Sequence, residues 1–192
     1  WFNVIPDEEF RQDPELLLVY GQSLLISATD KSCSILLKSI DGFIKNKKYS
    51  MALHAYGCYL EALAISGKDY DLLEGCLYKM DRLLQEPSPD IEKAAESIAC
   101  TVLFATSFQS LNHPLQEHWK AYAEQAIENC SDPFALLKRC NNMMIYYRFA
   151  GEDRKTYHLM DILDPLCQEI SSIPVLKLQT QLIYAFHYGY VS

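Results

Sequence analysis

Five helix starts, almost evenly spaced, constrain this chain more than anything else in its sequence. They lie at positions 14, 50, 89, 133 and 174, so successive steps are 36, 39, 44 and 41 residues. Asp13-Pro14, Ser88-Pro89 and Asp132-Pro133 each place an oxygen-bearing side chain at the N-cap and proline at the first helical position. The cap oxygen accepts first-turn N–H groups, and proline there gives up only an N–H that would have had no partner. Ser50 opens a further helix in the same role, and Ser172 caps the one containing Pro174.

Second helices are predicted between these starts, over 31–45, 70–85, 114–129 and 153–169. Their apolar residues recur at helical spacing, as in Leu72, Leu73, Cys76, Leu77, Met80, Leu83 and Leu84. Gly67 and Gly151 stand where a helix must stop and the chain turn back. Connections of about three to five residues make neighbours antiparallel, so the helices pair as hairpins. No stretch keeps a period of two, and the chain reads as all-α. A step of about 40 residues built from two helices is the pattern of an α-solenoid, in which each hairpin buries its apolar face against the next.

The wording of the units points to one kind of repeat. Tyr147 and Gly151 stand four apart at the end of a first helix, as in a tetratricopeptide unit, and Leu63 and Gly67 repeat the spacing with Leu for Tyr. Gly21 takes the small-residue position. The steps exceed the tetratricopeptide period of about 34 residues, so the units are longer variants of it. The expected fold is a right-handed α-solenoid of about four and a half tetratricopeptide-like helical hairpins, a single array over residues 1–192.

Three stretches carry a family resemblance: "RQDPELLLVYGQSLL" (11–25), "NHPLQEHWKAYAEQAI" (112–127) and "NNMMIYYRFAGEDRKTYHLMDILDPL" (141–166). They resemble the helical-repeat regions of large bacterial ATP-dependent transcriptional regulators. These include the STAND class, with the maltose-regulon activator and its LuxR-type relatives, and regulators with a bacterial transcriptional activator domain. The resemblance implies a non-catalytic region that senses a small-molecule inducer or a protein partner, joined in its parent chain to ATPase and DNA-binding modules. Neither module's motif occurs here: there is no GxxxxGK[ST] loop and no basic recognition helix. The chain begins at Trp1 without an initiator Met and stops at Ser192 inside a helical pattern, so it is read as a fragment of a larger protein.

Composition narrows the partners. A net charge of −8 repels phosphate backbones, which argues against direct nucleic-acid contact by this segment. Lys38, Lys45, Lys47 and Lys48 form one basic cluster. It reads as a solvated helix end whose cations suit the C-terminal dipole, ahead of a dock for an acidic partner. Seven cysteines, scattered and never in a CxxC pair, act as small hydrophobes in a reduced, cytoplasmic setting. No apolar run approaches the length of a membrane span.

Chemical constellations are thin. His54 and Cys58 share a helix face but find no further metal ligands nearby, and His158 and Asp161 lack a nucleophile. His113 and His118 do not share a face, and Glu92 and Glu96 lack the Glu-x-x-His pattern of a di-iron bundle. No catalytic, metal or cofactor site is expected. Trp119, Tyr122, Tyr146, Tyr147, Phe149, Tyr157, Tyr184, Phe186, Tyr188 and Tyr190 read as packing between repeats rather than as a ligand pocket.

Binding is expected on the concave face lined by the first helix of each hairpin. That face takes His54, Gly57, Glu61 and Ala64 from one unit and Lys138, Asn141, Ile145, Arg148 and Phe149 from another. Lys138, Asn141 and Arg148 together can hold a carboxylate or phosphate. The alternative to the regulator reading is a stand-alone adaptor that captures a peptide terminus through those three residues.

Overall fold

A computed structural model describes residues 13–67, 70–86, 88–108 and 113–169, together with residue 185. These residues form eight α-helices and no strand: α1 (Pro14–Ser23), α2 (Thr29–Lys45), α3 (Tyr49–Ser66), α4 (Tyr70–Leu84), α5 (Pro89–Ser107), α6 (Gln116–Glu128), α7 (Pro133–Phe149) and α8 (Asp153–Glu169). The start expected near Pro174, and the aromatics Tyr184, Phe186, Tyr188 and Tyr190, lie outside the described residues.

The caps form where sequence chemistry places them. Asp13 accepts from Glu15 N at 2.8 Å, Ser88 from Asp90 N at 3.3 Å, and Asp132 from Ala135 N at 3.0 Å. The start of α3 differs from expectation. Lys48 is its N-cap and makes no side-chain hydrogen bond, so Ser50 lies already inside the helix. The helix follows directly on the turn in which Lys47 N bonds to Ile44 O and Lys48 N to Phe43 O, with no side-chain cap. The second helices match 31–45, 70–85, 114–129 and 153–169 to within two residues at either end.

Two kinds of helix emerge from the burial pattern. The even-numbered helices are buried along one stripe, as with Leu73, Cys76, Leu77 and Met80 of α4. Helix α3 is enclosed on most sides: Ala55 through Leu60 are all buried, along with Ala52, Leu53, Ala62 and Leu63. It packs against α2, α4 and α5, and α5 in turn packs against α4, α6 and α7. The odd-numbered helices α3, α5 and α7 therefore stack on one another through the interior, each with its even-numbered hairpin partner beside it. Trp119 of α6, 1 % exposed, closes the core from that side.

The stack needs one close approach. At Gly57 an added Cβ would sit 2.7 Å from Ile98 Cγ2 and 2.9 Å from Ile98 Cβ, so α3 and α5 meet backbone to side chain there. No helix among the described residues is long and apolar enough to cross a membrane.

Candidate functional site

A cavity of about 350 Å³ opens on the odd-numbered helices. Gln22 and Leu25 line it from the end of α1, and His54, Gly57, Cys58 and Glu61 from α3. Helix α5 adds Ser97, Ile98, Cys100 and Thr101, and α7 adds Ala135, Lys138, Arg139 and Asn142. No even-numbered helix contributes a lining residue among those described. The repeating three- and four-residue steps on α3, α5 and α7 are those of one helical face, and the stacking of the three helices aligns those faces.

The polar groups of the wall are largely tied to one another. Lys138 Nζ donates to Glu61 Oε2 at 2.9 Å, an ion pair joining α7 to α3. Its two members differ: the Glu61 side chain is 19 % exposed and that of Lys138 is 57 % exposed. Gln22 Nε2 donates to Cys58 Sγ at 3.0 Å, Asn142 Nδ2 to Thr101 Oγ1 at 3.3 Å, and the Ser97 hydroxyl to the Ala94 carbonyl at 2.7 Å. The Arg139 guanidinium reaches past the wall to the Ala126 carbonyl on α6.

Burial, with the Lys138 ammonium adding to it, holds the His54 pKa below its ordinary value, so the imidazole is neutral at neutral pH and offers an acceptor. Burial likewise pushes the Cys58 thiol up, against the pull of the Gln22 hydrogen bond, and pushes Cys100 up to about 12. Both are thiols rather than thiolates at neutral pH, and so are poor nucleophiles. Among the described residues no three His, Cys, Asp or Glu side chains gather as metal ligands.

His54, Glu61 and Lys138, expected on one face from sequence, thus meet in one cavity. Asn141, Arg148 and Phe149 do not line it. Asn142 takes the place expected for Asn141, because the face α7 presents is turned by one residue. Arg148 is half-buried and already engaged. Phe149 stacks edge-on with Phe108, ring centroids 5.2 Å apart, and Phe108 does the same with Phe104 at 5.3 Å. The anion-holding trio of Lys138, Asn141 and Arg148 is therefore not assembled at the cavity, and its one cation there is on Glu61. Gln22, Thr101 and Arg139 carry no sequence mark that sets them apart from other polar helix residues.

A second polar cluster ties α6, α7 and α8 together. Lys120 pairs with Glu152 at 2.9 Å, and Lys155 with Glu152 at 3.0 Å and Glu124 at 3.3 Å. Lys155 Nζ also lies 5.0 Å from the centroid of the Tyr147 ring, whose hydroxyl donates to Glu124 at 3.1 Å. Its ammonium sits between the carboxylates of Glu124 and Glu152, so the cluster acts as a strut.

Comparisons with protein-family models, with curated proteins and with solved structures find no match to this chain.

Proposed function

We propose that this chain is a binding module built as a right-handed α-solenoid of tetratricopeptide-like hairpins, with its ligand site on the face of the first helices. The observation that carries the reading is the composition of the cavity wall, drawn among the described residues from α1 and the turn after it, α3, α5 and α7. A solenoid concentrates its binding surface on one helix of each repeat, since stacking aligns equivalent faces. The volume falls in the usual range for small-ligand sites, about 300–1,000 Å³. In its cell the module serves, on this reading, as the inducer- or partner-sensing region of a bacterial transcriptional regulator, non-catalytic and acting in the cytoplasm. The resemblance of 11–25, 112–127 and 141–166 to such regions supports that context. Capture of a peptide carboxyl terminus by the same face fits less well, because Lys138 already holds Glu61.

The test is a thermal-shift screen of small metabolites and short peptides against the wild-type chain and Ala135→Trp, which plugs the cavity from α7. Ligands that raise the wild-type melting temperature and leave that of Ala135→Trp unmoved support the reading. Ligands that stabilise both equally place binding elsewhere, and a screen without any stabilising compound sinks the cavity as a site.

A further inference from the structure

The Lys138–Glu61 pair places one carboxylate and one ammonium on the cavity wall. We propose that the cavity takes an organic ammonium group on Glu61, with Lys138 standing in for it while the cavity is empty. This rests on the cavity being the binding site.

The argument starts from the asymmetry of the pair. Glu61 is fixed on the enclosed helix α3 with its side chain 19 % exposed, whereas Lys138 reaches in from α7 with more than half of its side chain in solvent. A carboxylate with most of its surface out of water favours a counter-ion, because leaving it unpaired costs part of its desolvation. The lysine, by contrast, loses little on returning to water, since exposed ion pairs contribute little net free energy. Displacing Lys138 from Glu61 is therefore cheap if something cationic takes its place, and expensive if nothing does.

The remaining wall selects the same chemistry. One N–H of each of the Gln22 and Asn142 amides, and the Ser97 hydroxyl proton, are spent on neighbours. The two amide carbonyl oxygens keep no hydrogen bond among the described residues, and the neutral His54 adds an acceptor nitrogen. Arg139 directs its guanidinium to Ala126, which does not line the cavity. The wall offers acceptors around one anion, which is what an ammonium group with three N–H donors requires. An anionic ligand would have to share Lys138 with Glu61 and lie beside that carboxylate, a like-charge contact. At about 350 Å³ the space admits a molecule of about dipeptide size.

Three dipeptide probes of one shape separate the charges: Ala-Phe amide (cationic), Ala-Phe (zwitterionic) and N-acetyl-Ala-Phe (anionic), titrated into the full chain by calorimetry. The expected result is binding of the two probes with a free amino group and none of the acetylated one. Glu61→Gln should weaken that binding at least about tenfold, while Lys138→Ala strengthens binding of the amide about three- to tenfold by removing the internal competitor. Circular dichroism melts of both variants confirm that they fold. A gain in cation affinity on deleting a lysine is not produced by a merely structural role. Tighter binding of the acetylated probe, lost in Lys138→Ala, overturns the ammonium inference and leaves the cavity reading intact. So does failure of all three probes when a compound from the screen still binds wild type and not Ala135→Trp. If that screen also finds nothing, both readings fall together.

Discussion

Lys47 and Gly151 hold the same backbone conformation with unequal ease. Their φ angles are +57° and +74°, in the left-handed region that a side chain disfavours and glycine accepts. Each sits just past a helix end in the same paired arrangement. Lys48 N bonds to Phe43 O at 2.9 Å and Lys47 N to Ile44 O at 3.0 Å; Glu152 N bonds to Tyr147 O at 2.8 Å and Gly151 N to Arg148 O at 3.1 Å. The two N–H groups satisfy carbonyls that the helix end leaves open. An added Cβ at Gly151 would meet nothing within 4 Å, so any cost of substitution there is conformational and not steric. Gly151→Val should therefore lower stability by about 1–2 kcal/mol in chemical denaturation, and Lys47→Gly should raise it by up to about 1 kcal/mol. If Gly151→Val leaves the denaturation midpoint unchanged, the turn between α7 and α8 does not depend on that conformation.

At the scale of the element, the stack of α3 on α5 depends on the missing side chain of Gly57. An added Cβ would lie 2.7 Å from Ile98 Cγ2, closer than packed atoms tolerate, so α3 and α5 must part or Ile98 must move. Gly57→Ala should destabilise by about 1–3 kcal/mol despite alanine's better helix propensity. Ile98→Ala should recover part of that loss in the double variant, so the two changes are non-additive in a double-mutant cycle. Strict additivity would mean that the helices do not meet at this pair. What was legible in the sequence divides along the same line between local and tertiary causes. The starts of α1, α5 and α7 are readable because Asp13, Ser88 and Asp132 bond to their own first turns. The start of α3 is not, because no side chain caps it and Ser50, which looks like a cap, lies inside the helix. For the site, helical periodicity brings His54 and Glu61 together on α3. The pairing of Glu61 with Lys138, 77 residues further on, exists only once α3, α5 and α7 have stacked. Asn141 and Asn142 differ by about 100° around the helix, and only the bond to Thr101 on α5 shows which one faces inward.

Over the whole molecule, the principal helix packing runs between elements one or two apart in sequence: α1 with α2, α2 with α3, α3 with α4 and α5, and so on to α7 with α8. Contacts of this local kind favour fast folding and let one end of a molecule open without the other. Among the described residues helix α8 is held chiefly by α7 and by the Lys120–Glu152–Lys155–Glu124 strut, whereas α3 is enclosed by three neighbours. Leu163 of α8 is 1 % exposed, and Leu163→Ala removes a buried side chain at a cost of about 2–5 kcal/mol. In native-state hydrogen exchange that loss should fall on the amides of α7 and α8, with those of α2 and α3 keeping wild-type protection. The logic is that of neighbour-to-neighbour packing, where a weakened interface lowers the cost of opening the helices it joins and leaves interfaces two hairpins away unchanged. Equal loss of protection in α2 and α3 would show instead that the eight helices open as one cooperative unit. Ligand binding at the cavity would then stabilise the whole chain, because the cavity joins α1, α3, α5 and α7. If opening is local, a ligand there should protect α3, α5 and α7 while leaving α8, which contributes nothing to the wall, as labile as before.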